Sequence, residues 1–452
     1  MRVDILVIGW GKAGKTLAAR LAASGRSVVL VERSPQMYGG TCINVGCVPT
    51  KDLVVSAEMR RASDDPAAYF AEAVAERNSL VGALNRANHA MLTSVSSVTV
   101  LDGSAHFIGP KQVVVERGGD EITVEAETII IGTGTVPRKP TVPGADGPRI
   151  FDSTTIQQVE PVPQRLVIVG GGFIGLEFAN MFAHFGAAVT VLDSGVEFLP
   201  RVDRDVAVEV RETLTDRGID IRQGLQIGEF RDRGDFVEVR SGDASFDADA
   251  VLVATGRMPA TSGLGLEAAG ITMDDRGYVV VDDQLRTTVD GVFAVGDVNG
   301  GPQFTYISFD DFRIVWDAVT GEGKRRRSDR RAVPNSTFIT PPLSQVGMTE
   351  QEARESGRTV VVAKKKVASI AAMPRPKILG ETHGLIKFLI DAEERTILGA
   401  TVFCTDSQEL VNMVALAIRL GATVEDLRDG IWTHPSSTEA FNEVLAATTP
   451  LV

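Results

Sequence analysis

Two cysteines lie unusually close together near the N-terminus of this 452-residue chain. Cys42 and Cys47 are five positions apart in the stretch GGTCINVGCVPTK, and the chain has only 3 cysteines. Such a pair could be a redox-active disulfide, two zinc ligands or two inert thiols of a core. The zinc alternative lacks partners, because Cys404 stands alone and no C-x-x-C pair is present. The redox and inert alternatives stay open on the spacing alone.

The spacing also restricts the local structure of the pair. In a regular helix, residues five apart rise about 7.5 Å along the axis. That rise exceeds the roughly 4.4–6.8 Å that separates the Cα atoms of a disulfide. A bridge therefore requires a bend, and Gly39, Gly40 and Gly46 supply the backbone freedom for one. The sequence predicts a distorted, readily reduced bridge.

An internal duplication supplies the elements that would position this pair. Each copy has an apolar run, a G-x-G-x-x-G pattern, a helix-like stretch and a second apolar run that ends in an acid. The first glycine precedes the acid by 23 positions in both copies (9 to 32, and 170 to 193). The residues are Gly9, Gly11, Gly14 and Glu32 in the first copy, and Gly170, Gly172, Gly175 and Asp193 in the second.

Each copy has the residues of a dinucleotide site. The glycines allow a tight turn and close approach to a pyrophosphate at a helix N-terminus, and the acid accepts a hydrogen bond from a ribose hydroxyl. Each copy also has a later strand that ends in Thr-Gly-x-x-Pro, at Thr133–Gly134 and at Thr255–Gly256. Asp193 favours NADH over NADPH, because a carboxylate would repel a 2′-phosphate and no arginine follows it before Arg201.

Charge and hydropathy exclude other classes of protein. A formal net charge of -13 argues against nucleic acid as a partner, and the basic run GKRRRSDRR (residues 323–331) is predicted to be a solvated loop. No apolar stretch is long enough to span a membrane, and the first residues lack the pattern of a signal peptide. We therefore expect a cytoplasmic protein, in which a disulfide is usually transient and catalytic.

A histidine close to the C-terminus is a candidate acid–base residue. His434 is one of 5 histidines and stands in the stretch HPSSTE, with Glu439 five positions further on. A carboxylate beside an imidazole fixes its tautomer and raises its basicity.

The ordered motifs resemble those of the class I flavoprotein disulfide reductases over essentially the whole chain. They are GGTCINVGCVPTK, GGGFIGLE, AVGDV, TPPLSQVGMTE and HPSSTE. The resemblance implies FAD on the first copy and NAD(P)H on the second. It implies that Cys47 faces the flavin, that Cys42 attacks the substrate, and that Lys51 pairs with Glu177 beside the flavin. It also implies a homodimer in which His434 and Glu439 reach the cysteines of the other subunit.

The resemblance adds further cofactor-binding candidates to the two glycine patterns and their acids. They are Gly40, Thr41, Thr133, Gly134, Gly256, Arg257, Gly296 and Asp297.

Within the family, several stretches resemble a bacterial subgroup associated with resistance to reactive chlorine and with reduction of metal ions such as Cu(II). The stretch from Gln303 to Val315 departs from the broader family, which makes Tyr306, Asp310 and Asp311 candidate subgroup-specific residues. The predicted function is electron transfer from NAD(P)H through FAD and the cysteine pair to an oxidised acceptor, such as Cu(II) or Hg(II). A small disulfide as acceptor, or a redox sensor with low turnover, are the alternatives.

The expected architecture is α/β, with two Rossmann-like dinucleotide-binding domains and a C-terminal α+β dimerisation domain. The expected segments are an FAD-binding domain (1–152), an NAD(P)H-binding domain (153–265), a central segment that completes the FAD domain (266–334) and an interface domain (335–452). An amphipathic helix is predicted in the last segment, with Leu410, Val414 and Ile418 on one face and Gly421 as its end.

Overall fold

The first apolar runs form a sheet whose centre is parallel. In the computed structural model, which describes residues 1–451, its strand order is β3-β2-β1-β6-β5-β4. The strands are β1 (Arg2–Ile8), β2 (Val28–Glu32), β3 (Val98–Asp102), β4 (Ser104–Gly109), β5 (Gln112–Arg117) and β6 (Asp120–Ile131). The helices are α1 (Lys12–Ala23), α2 (Thr41–Asn44), α3 (Cys47–Met59) and α4 (Pro66–Thr93). Strands β1, β2, β3 and β6 pair in parallel, whereas β4 and β5 are antiparallel. The buried apolar residues of these strands pack into the first core together with residues of α1 and of the later segment 264–315.

The second glycine pattern lies in a second parallel sheet with the order β11-β10-β9-β15-β8. The strands of this region are β7 (Thr135–Pro137), β8 (Ile150–Phe151), β9 (Arg165–Val169), β10 (Ala188–Leu192), β11 (Asp220–Arg222), β12 (Glu229–Asp232), β13 (Val237–Ser241), β14 (Ala244–Ala248), β15 (Ala250–Val253) and β16 (Arg257–Pro259). The helices are α5 (Phe173–His184), α6 (Arg204–Asp216) and α7 (Leu266–Ala269). Strands β12–β14 form an antiparallel sheet, and β7 pairs with β16 as a two-stranded link between the two regions.

The chain then returns to the first sheet. Strand β17 (Val292–Ala294) pairs in parallel with β6, and α8 (Thr305–Thr320) packs against α1. This return brings the segment after β17 to the carboxyl ends of β1 and β6, which is where ligands bind in open α/β sheets.

The C-terminal part is an antiparallel sheet covered by helices. Its order is β18-β19-β22-β21-β20-β23. The strands are β18 (Asn335–Thr337), β19 (Leu343–Gly347), β20 (Val360–Lys366), β21 (Leu385–Asp391), β22 (Ile397–Phe403) and β23 (Thr449–Pro450). The helices are α9 (Glu350–Glu355), α10 (Pro374–Leu379), α11 (Ser407–Leu420), α12 (Val424–Arg428) and α13 (Ala440–Val444).

The predicted α/β class is confirmed, and so is the predicted amphipathic helix. Helix α11 buries Leu410 and Val414 and ends at Gly421, whose φ of 67° lies in the left-handed region. The segment boundaries at 152, 265 and 334 stay predictions. Within residues 1–451, no helix combines the length and apolar character needed to cross a membrane.

Candidate active site

The segment between the two cysteines bends, as their spacing predicts. Helix α2 ends at Asn44 and α3 begins at Cys47, so the helical path is interrupted at Val45 and Gly46. Gly46 has an ordinary φ of -116°, and it is required for a steric reason: a Cβ there would lie 2.9 Å from the Thr41 carbonyl oxygen. The backbone of the bend is therefore closely packed.

The turn before α2 is packed against the first glycine turn. Gly39 and Gly40 have φ values of 105° and 78°, which other residues rarely adopt. A Cβ on Gly40 would lie 2.8 Å from the Cα of Gly11. This contact places Thr41 and Cys42, the first residues of α2, beside the first predicted dinucleotide site.

The two thiols are free in this structure and differ in their electrostatics. Cys47 is exposed to the cavity, and a hydrogen bond from the Cys42 thiol, followed by one from Thr305 and the charge of Lys51, lowers its pKa to about 6 despite desolvation. Cys42 is half-buried, and the hydrogen bond it gives to Cys47 raises its pKa far above the usual range. The arrangement favours one thiolate at Cys47 and one proton on Cys42.

Lys51 and Glu177 form an ion pair across the two nucleotide regions. The Lys51 Nζ lies 2.6 Å from the Glu177 Oε2, and it sits 4.8 Å above the centre of the Phe338 ring. The other carboxylate oxygen of Glu177 accepts a hydrogen bond of 2.8 Å from the Phe338 backbone N–H. All three residues line the same cavity as the cysteines. Helices α3 and α5 thus fix a lysine close to the thiols.

The first glycine pattern forms one end of this cavity, which has a volume of about 1440 Å³. Gly9 has a φ of 97°, and a Cβ there would lie 2.5 Å from the Gly132 carbonyl oxygen. A Cβ on Gly14 would lie 3.0 Å from the Gly9 carbonyl oxygen, so the helix packs directly on the turn. Glu32 is 8% exposed, its Oε2 accepts a hydrogen bond of 3.1 Å from the Trp10 backbone N–H, and burial raises its pKa.

The segment after β17 closes another side of the cavity. Asp297 is buried enough that desolvation raises its pKa, and its Oδ2 accepts a hydrogen bond of 3.1 Å from the Thr135 hydroxyl. Arg257 donates to the same hydroxyl at 2.8 Å and to the Thr135 carbonyl oxygen at 2.7 Å. Arg257 therefore lies beside Asp297 in the first cavity rather than at the second glycine turn. Gly296 and Gly134 also line the cavity.

These residues fit FAD. The glycine cradle admits a backbone approach that any Cβ would block, and Glu32 presents a carboxylate at the end of β2. Thr133 and Trp10 line the cavity, and the Thr133 hydroxyl and the Trp10 indole N–H are buried without a hydrogen-bond partner within residues 1–451. Buried polar groups are normally satisfied, so the two groups are available to a polar ligand.

The second glycine pattern forms a turn with the same geometry. Gly170 has a φ of 113°, and a Cβ on Gly175 would lie 2.0 Å from its carbonyl oxygen. Gly172 caps the N-terminus of α5, and Asp193 follows β10, with its Oδ2 close to the turn at Gly171. Neither these glycines nor Asp193 or Gly256 lines the first cavity, although Phe173, Ile174 and Glu177 of α5 do. The start of α5 therefore lies between the two predicted nucleotide sites.

His434 and Glu439 are hydrogen-bonded to each other but lie apart from the cysteines of their own chain. The His434 Nδ1 is 2.9 Å from the Glu439 Oε1, and the imidazole side chain is 72% exposed. The Glu439 Oε2 accepts a hydrogen bond of 2.8 Å from the Ser436 backbone N–H, which is the main cause that lowers its pKa, followed by His434. Neither residue lines the cavity. An exposed, oriented imidazole of this kind is available to a second subunit.

The basic run is not wholly the solvated loop that its composition predicts. The Arg330 side chain is only 15% exposed and pairs with Asp310 (2.8 Å) and Asp311 of α8. The other oxygen of Asp311 accepts a hydrogen bond of 2.6 Å from the Gly296 backbone N–H. This pairing ties the basic run to the segment after β17, so Asp310 and Asp311 have a structural role. Tyr306 donates a hydrogen bond of 2.5 Å to the Pro334 carbonyl oxygen and lines the cavity.

Sequence patterns missed two contacts of the cysteine segment. The Thr305 hydroxyl lies 3.6 Å from the Cys47 Sγ, although the two residues are 258 positions apart. Gln157 is 1% exposed, and its Nε2 donates to the carbonyl oxygens of Val45 (3.0 Å) and Ser153 (2.7 Å). The Val45 carbonyl belongs to the bend between the cysteines. No local pattern signals either contact, because each partner comes from a distant segment.

The fold and this site define a flavoprotein disulfide oxidoreductase. Residues 3–311 match the family described as pyridine nucleotide-disulphide oxidoreductase, and residues 333–445 match its dimerisation domain. The chain belongs to this family, which implies FAD and NAD(P)H as cofactors. Cys404 is fully buried in the core of the dimerisation domain.

Known members of the family are similar over almost the whole chain. The chain is 43% identical to the probable pyridine nucleotide-disulfide oxidoreductase RclA of Escherichia coli (strain K12), covering 98% of this chain and 99% of that protein. It is 32% identical to the mercuric reductase of Staphylococcus aureus, covering 99% of this chain and 82% of that protein. The solved structure of a Cu(II) complex of the HOCl-induced flavoprotein disulfide reductase RclA from Escherichia coli superimposes with a TM-score of 0.94, at 43% identity and 99% coverage of both chains.

Proposed function

We propose that this protein transfers electrons from NADH, through FAD and the Cys42–Cys47 pair, to an oxidised metal ion such as Cu(II) or Hg(II), in defence against reactive chlorine. The observation that carries the proposal is the placement of both thiols in the cavity that the first glycine turn lines, with the Lys51–Glu177 pair in the same cavity and the Thr305 hydroxyl 3.6 Å from the Cys47 Sγ. The hydrogen bond from Cys42 to Cys47 favours a thiolate at Cys47 and a proton on Cys42. This is the arrangement that a disulfide has immediately after it accepts two electrons and one proton.

The residues of the first cavity bind and orient the cofactor. FAD, when bound, would accept a hydride from the nicotinamide and supply two electrons to the disulfide. Glu32 would accept a hydrogen bond from its ribose, and the turn from Gly9 to Gly14 would take its pyrophosphate. Asp297, whose carboxylate already accepts from Thr135, would face its polar chain. The Lys51–Glu177 pair holds a positive charge beside Cys47, which favours the thiolate.

The cysteines then reduce the acceptor. Two electrons and one proton cleave the S–S bond and leave one thiolate and one thiol. Reduction of the acceptor returns both electrons, releases the thiol proton and reforms the bond, so two Cu(II) ions become two Cu(I), or one Hg(II) becomes Hg(0). Similarity to RclA, whose solved structure contains Cu(II), and to mercuric reductase supports a metal ion as acceptor.

An acceptor panel tests this proposal. Steady-state NADH oxidation would be measured anaerobically with Cu(II), Hg(II), glutathione disulfide, lipoamide and quinones, on the parent and on Cys42→Ser and Cys47→Ser. We expect turnover with a metal ion that disappears in both variants. Turnover with a disulfide alone would show that the acceptor is a disulfide and not a metal ion. Turnover that survives in both variants would refute a role for the thiols. Negligible turnover with every acceptor would favour a redox sensor.

The proposal includes a homodimer in which His434 and Glu439 of one subunit serve the cysteines of the other. Three observations support it: neither residue lines the cavity that holds the cysteines of its own chain, the imidazole is exposed, and the chain has a dimerisation domain. Co-expression of Cys42→Ala and His434→Ala subunits tests it, because a mixed dimer would contain one intact site and one site with both defects. Activity of the mixed dimer, with both parent variants inactive, supports a shared site; no recovery refutes it.

Preference for NADH rests on the second glycine turn. The Asp193 carboxylate follows β10 beside this turn, and the side chain of Arg222, on the adjacent strand, is paired with Asp220 at 2.8 Å. The 2′-phosphate of NADPH would be repelled by the Asp193 carboxylate. The strand beside it offers no unpaired arginine to neutralise the phosphate. We expect a higher kcat/KM for NADH than for NADPH, and a reduced ratio in Asp193→Ser. Equal ratios in the parent and the variant would contradict this assignment.

A further inference from the structure

Lys15 is a buried lysine behind the cysteine segment. It lies on α1, directly after the last glycine of the first pattern, and is 7% exposed. The preceding residues Lys12, Ala13 and Gly14 line the cofactor cavity, but Lys15 does not. Lys15 is therefore not part of the lining of the first cavity, and contact with a cofactor does not account for its burial.

The hydrogen-bond acceptors of Lys15 are neutral. Its Nζ donates to the Asn88 Oδ1 of α4 at 2.5 Å and to the Gly39 carbonyl oxygen at 3.3 Å. No ion pair formed within residues 1–451 includes Lys15. A buried charge without a counter-charge is unfavourable, and burial, followed by the charge of Lys12, lowers the pKa of Lys15 to about 8. The anion that favours its charged form is Cys42.

The position of Lys15 connects it to the redox pair. Gly39 begins the two-glycine turn that leads into α2, and Cys42 is the second residue of that helix. The hydrogen bond from the Lys15 Nζ to the Gly39 carbonyl oxygen restricts this turn. The positive charge of Lys15 acts on the Cys42 thiol, which follows the turn. The charged or titratable groups that act on Lys15 are Lys12 on its own helix and Cys42 on α2; α4 contributes the neutral amide of Asn88.

We propose that Lys15 is a positioning residue for Cys42: its ammonium group holds the turn before α2 and stabilises the Cys42 thiolate that forms after the disulfide is reduced. The proposal rests on the proposed function of the Cys42–Cys47 pair. Reduction by two electrons and one proton leaves the proton on Cys42, and Cys42 must release it before it can attack an acceptor. The released proton passes to solvent or to the base of the other subunit. Lys15 remains charged and acts as the counter-ion.

The test measures the pH dependence of Cys42 alkylation by iodoacetamide in the FAD-loaded Cys47→Ser protein, in which Cys42 is the remaining thiol of the pair. Lys15→Met removes the charge and the donor, and Lys15→Gln removes only the charge. Arg20→Met is the matched control, because it removes an exposed cation from the same helix. Peptide mass spectrometry identifies the labelled cysteine, and flavin absorbance confirms folding.

We expect the midpoint of the alkylation profile to rise by about one pH unit in both Lys15 variants, which is about tenfold slower alkylation at a fixed pH below the midpoint. Arg20→Met should leave the midpoint unchanged. If both Lys15 variants keep the midpoint of the control, or if Lys15→Gln restores it, the electrostatic role is refuted. A separate count of thiols before and after NADH reduction of the parent tests the redox pair itself, so its failure is distinguishable from the failure of the Lys15 proposal.

Discussion

The low pKa of Cys47 gives a quantitative prediction about how the two thiols depend on each other. The largest cause of the shift is the hydrogen bond from the Cys42 thiol. Cys42→Ser keeps an O–H donor at this position, whereas Cys42→Ala removes it. Each variant leaves Cys47 as the remaining thiol of the pair, so its titration can be followed alone.

The size of the effect follows from the fraction of thiolate. A thiol with a pKa of about 6 is roughly nine-tenths ionised at pH 7, compared with roughly one-hundredth for a thiol at the ordinary value of about 9. We expect an alkylation midpoint near 6 to 7 in Cys42→Ser, and a midpoint about one to two units higher in Cys42→Ala. The midpoint rises because Cys42→Ala removes a hydrogen-bond donor to the Cys47 thiolate, and this loss disfavours the thiolate. At pH 7 this corresponds to alkylation that is slower by about twofold (midpoint 6 to 7) to about fiftyfold (midpoint 7 to 9).

The assay is the pH profile of iodoacetamide alkylation of Cys47, with the flavin bound and the labelled peptide identified by mass spectrometry. Adding Thr305→Val to Cys42→Ser removes the second donor, 3.6 Å from the sulfur, and should raise the midpoint by less than Cys42→Ala does. Identical midpoints in the Ala and Ser variants would refute the reasoning, because the hydrogen bond between the thiols would then have no effect on Cys47.

Three further predictions concern two residues of the site, Gln157 and Glu32, and the buried Lys387, which lies outside it. Gln157→Ala should lower the thermal midpoint and alter the rate of NADH-driven thiol formation, since it removes hydrogen bonds to two partly buried carbonyl groups, each worth about 0.5–1.5 kcal/mol. The exposed Gln158→Ala should have neither effect. Lys387→Met should lower the free energy of unfolding by about 3–5 kcal/mol, because Lys387 is 1% exposed and lies among three carboxylates. The control Lys364→Met, at a half-exposed lysine, should be nearly neutral. Equal thermal midpoints for the two variants would contradict this prediction. Glu32→Ala should weaken FAD binding about tenfold or more in an equilibrium titration. Burial raises the pKa of Glu32, so FAD affinity in the parent should begin to fall, as the pH is lowered, at a higher pH than an ordinary glutamate would give. Unchanged affinity in the variant would show that Glu32 does not bind FAD.

The elements around the cysteines could be predicted because their signals are local. The glycine turns, the acids at the ends of β2 and β10, and the bend between the cysteines all follow from residue types within a few positions of one another. Gly46 shows the limit of this reasoning. The sequence predicts that it supplies backbone freedom, but not that a Cβ there would lie 2.9 Å from the Thr41 carbonyl oxygen, because this close approach depends on the fold of the bend.

Partners from distant segments could not be predicted from the sequence. Arg330 belongs to a run whose composition is typical of a solvated loop, but the fold places Asp310 and Asp311 of α8 opposite it. Lys15 lies in a helix whose sequence gives no reason to bury a cation, yet the fold brings the Gly39 carbonyl oxygen and the Asn88 side chain to its ammonium group. The sequence gives the charge of each segment, but it does not show which charged side chains the fold brings together as ion pairs.

The difference between the two thiols has a local part and a tertiary part. The cysteine motif supplies the Cys42 thiol and Lys51, and both favour the anion at Cys47. The tertiary structure adds Thr305 of α8, whose hydroxyl lies 3.6 Å from the Cys47 sulfur. The group behind Cys42 comes from α1. Because β17 returns the chain to the first sheet before α8 begins, the assignment of one thiolate and one thiol depends in part on contacts across about 250 residues, and a variant that loosens α8 should weaken this difference without any change in the motif.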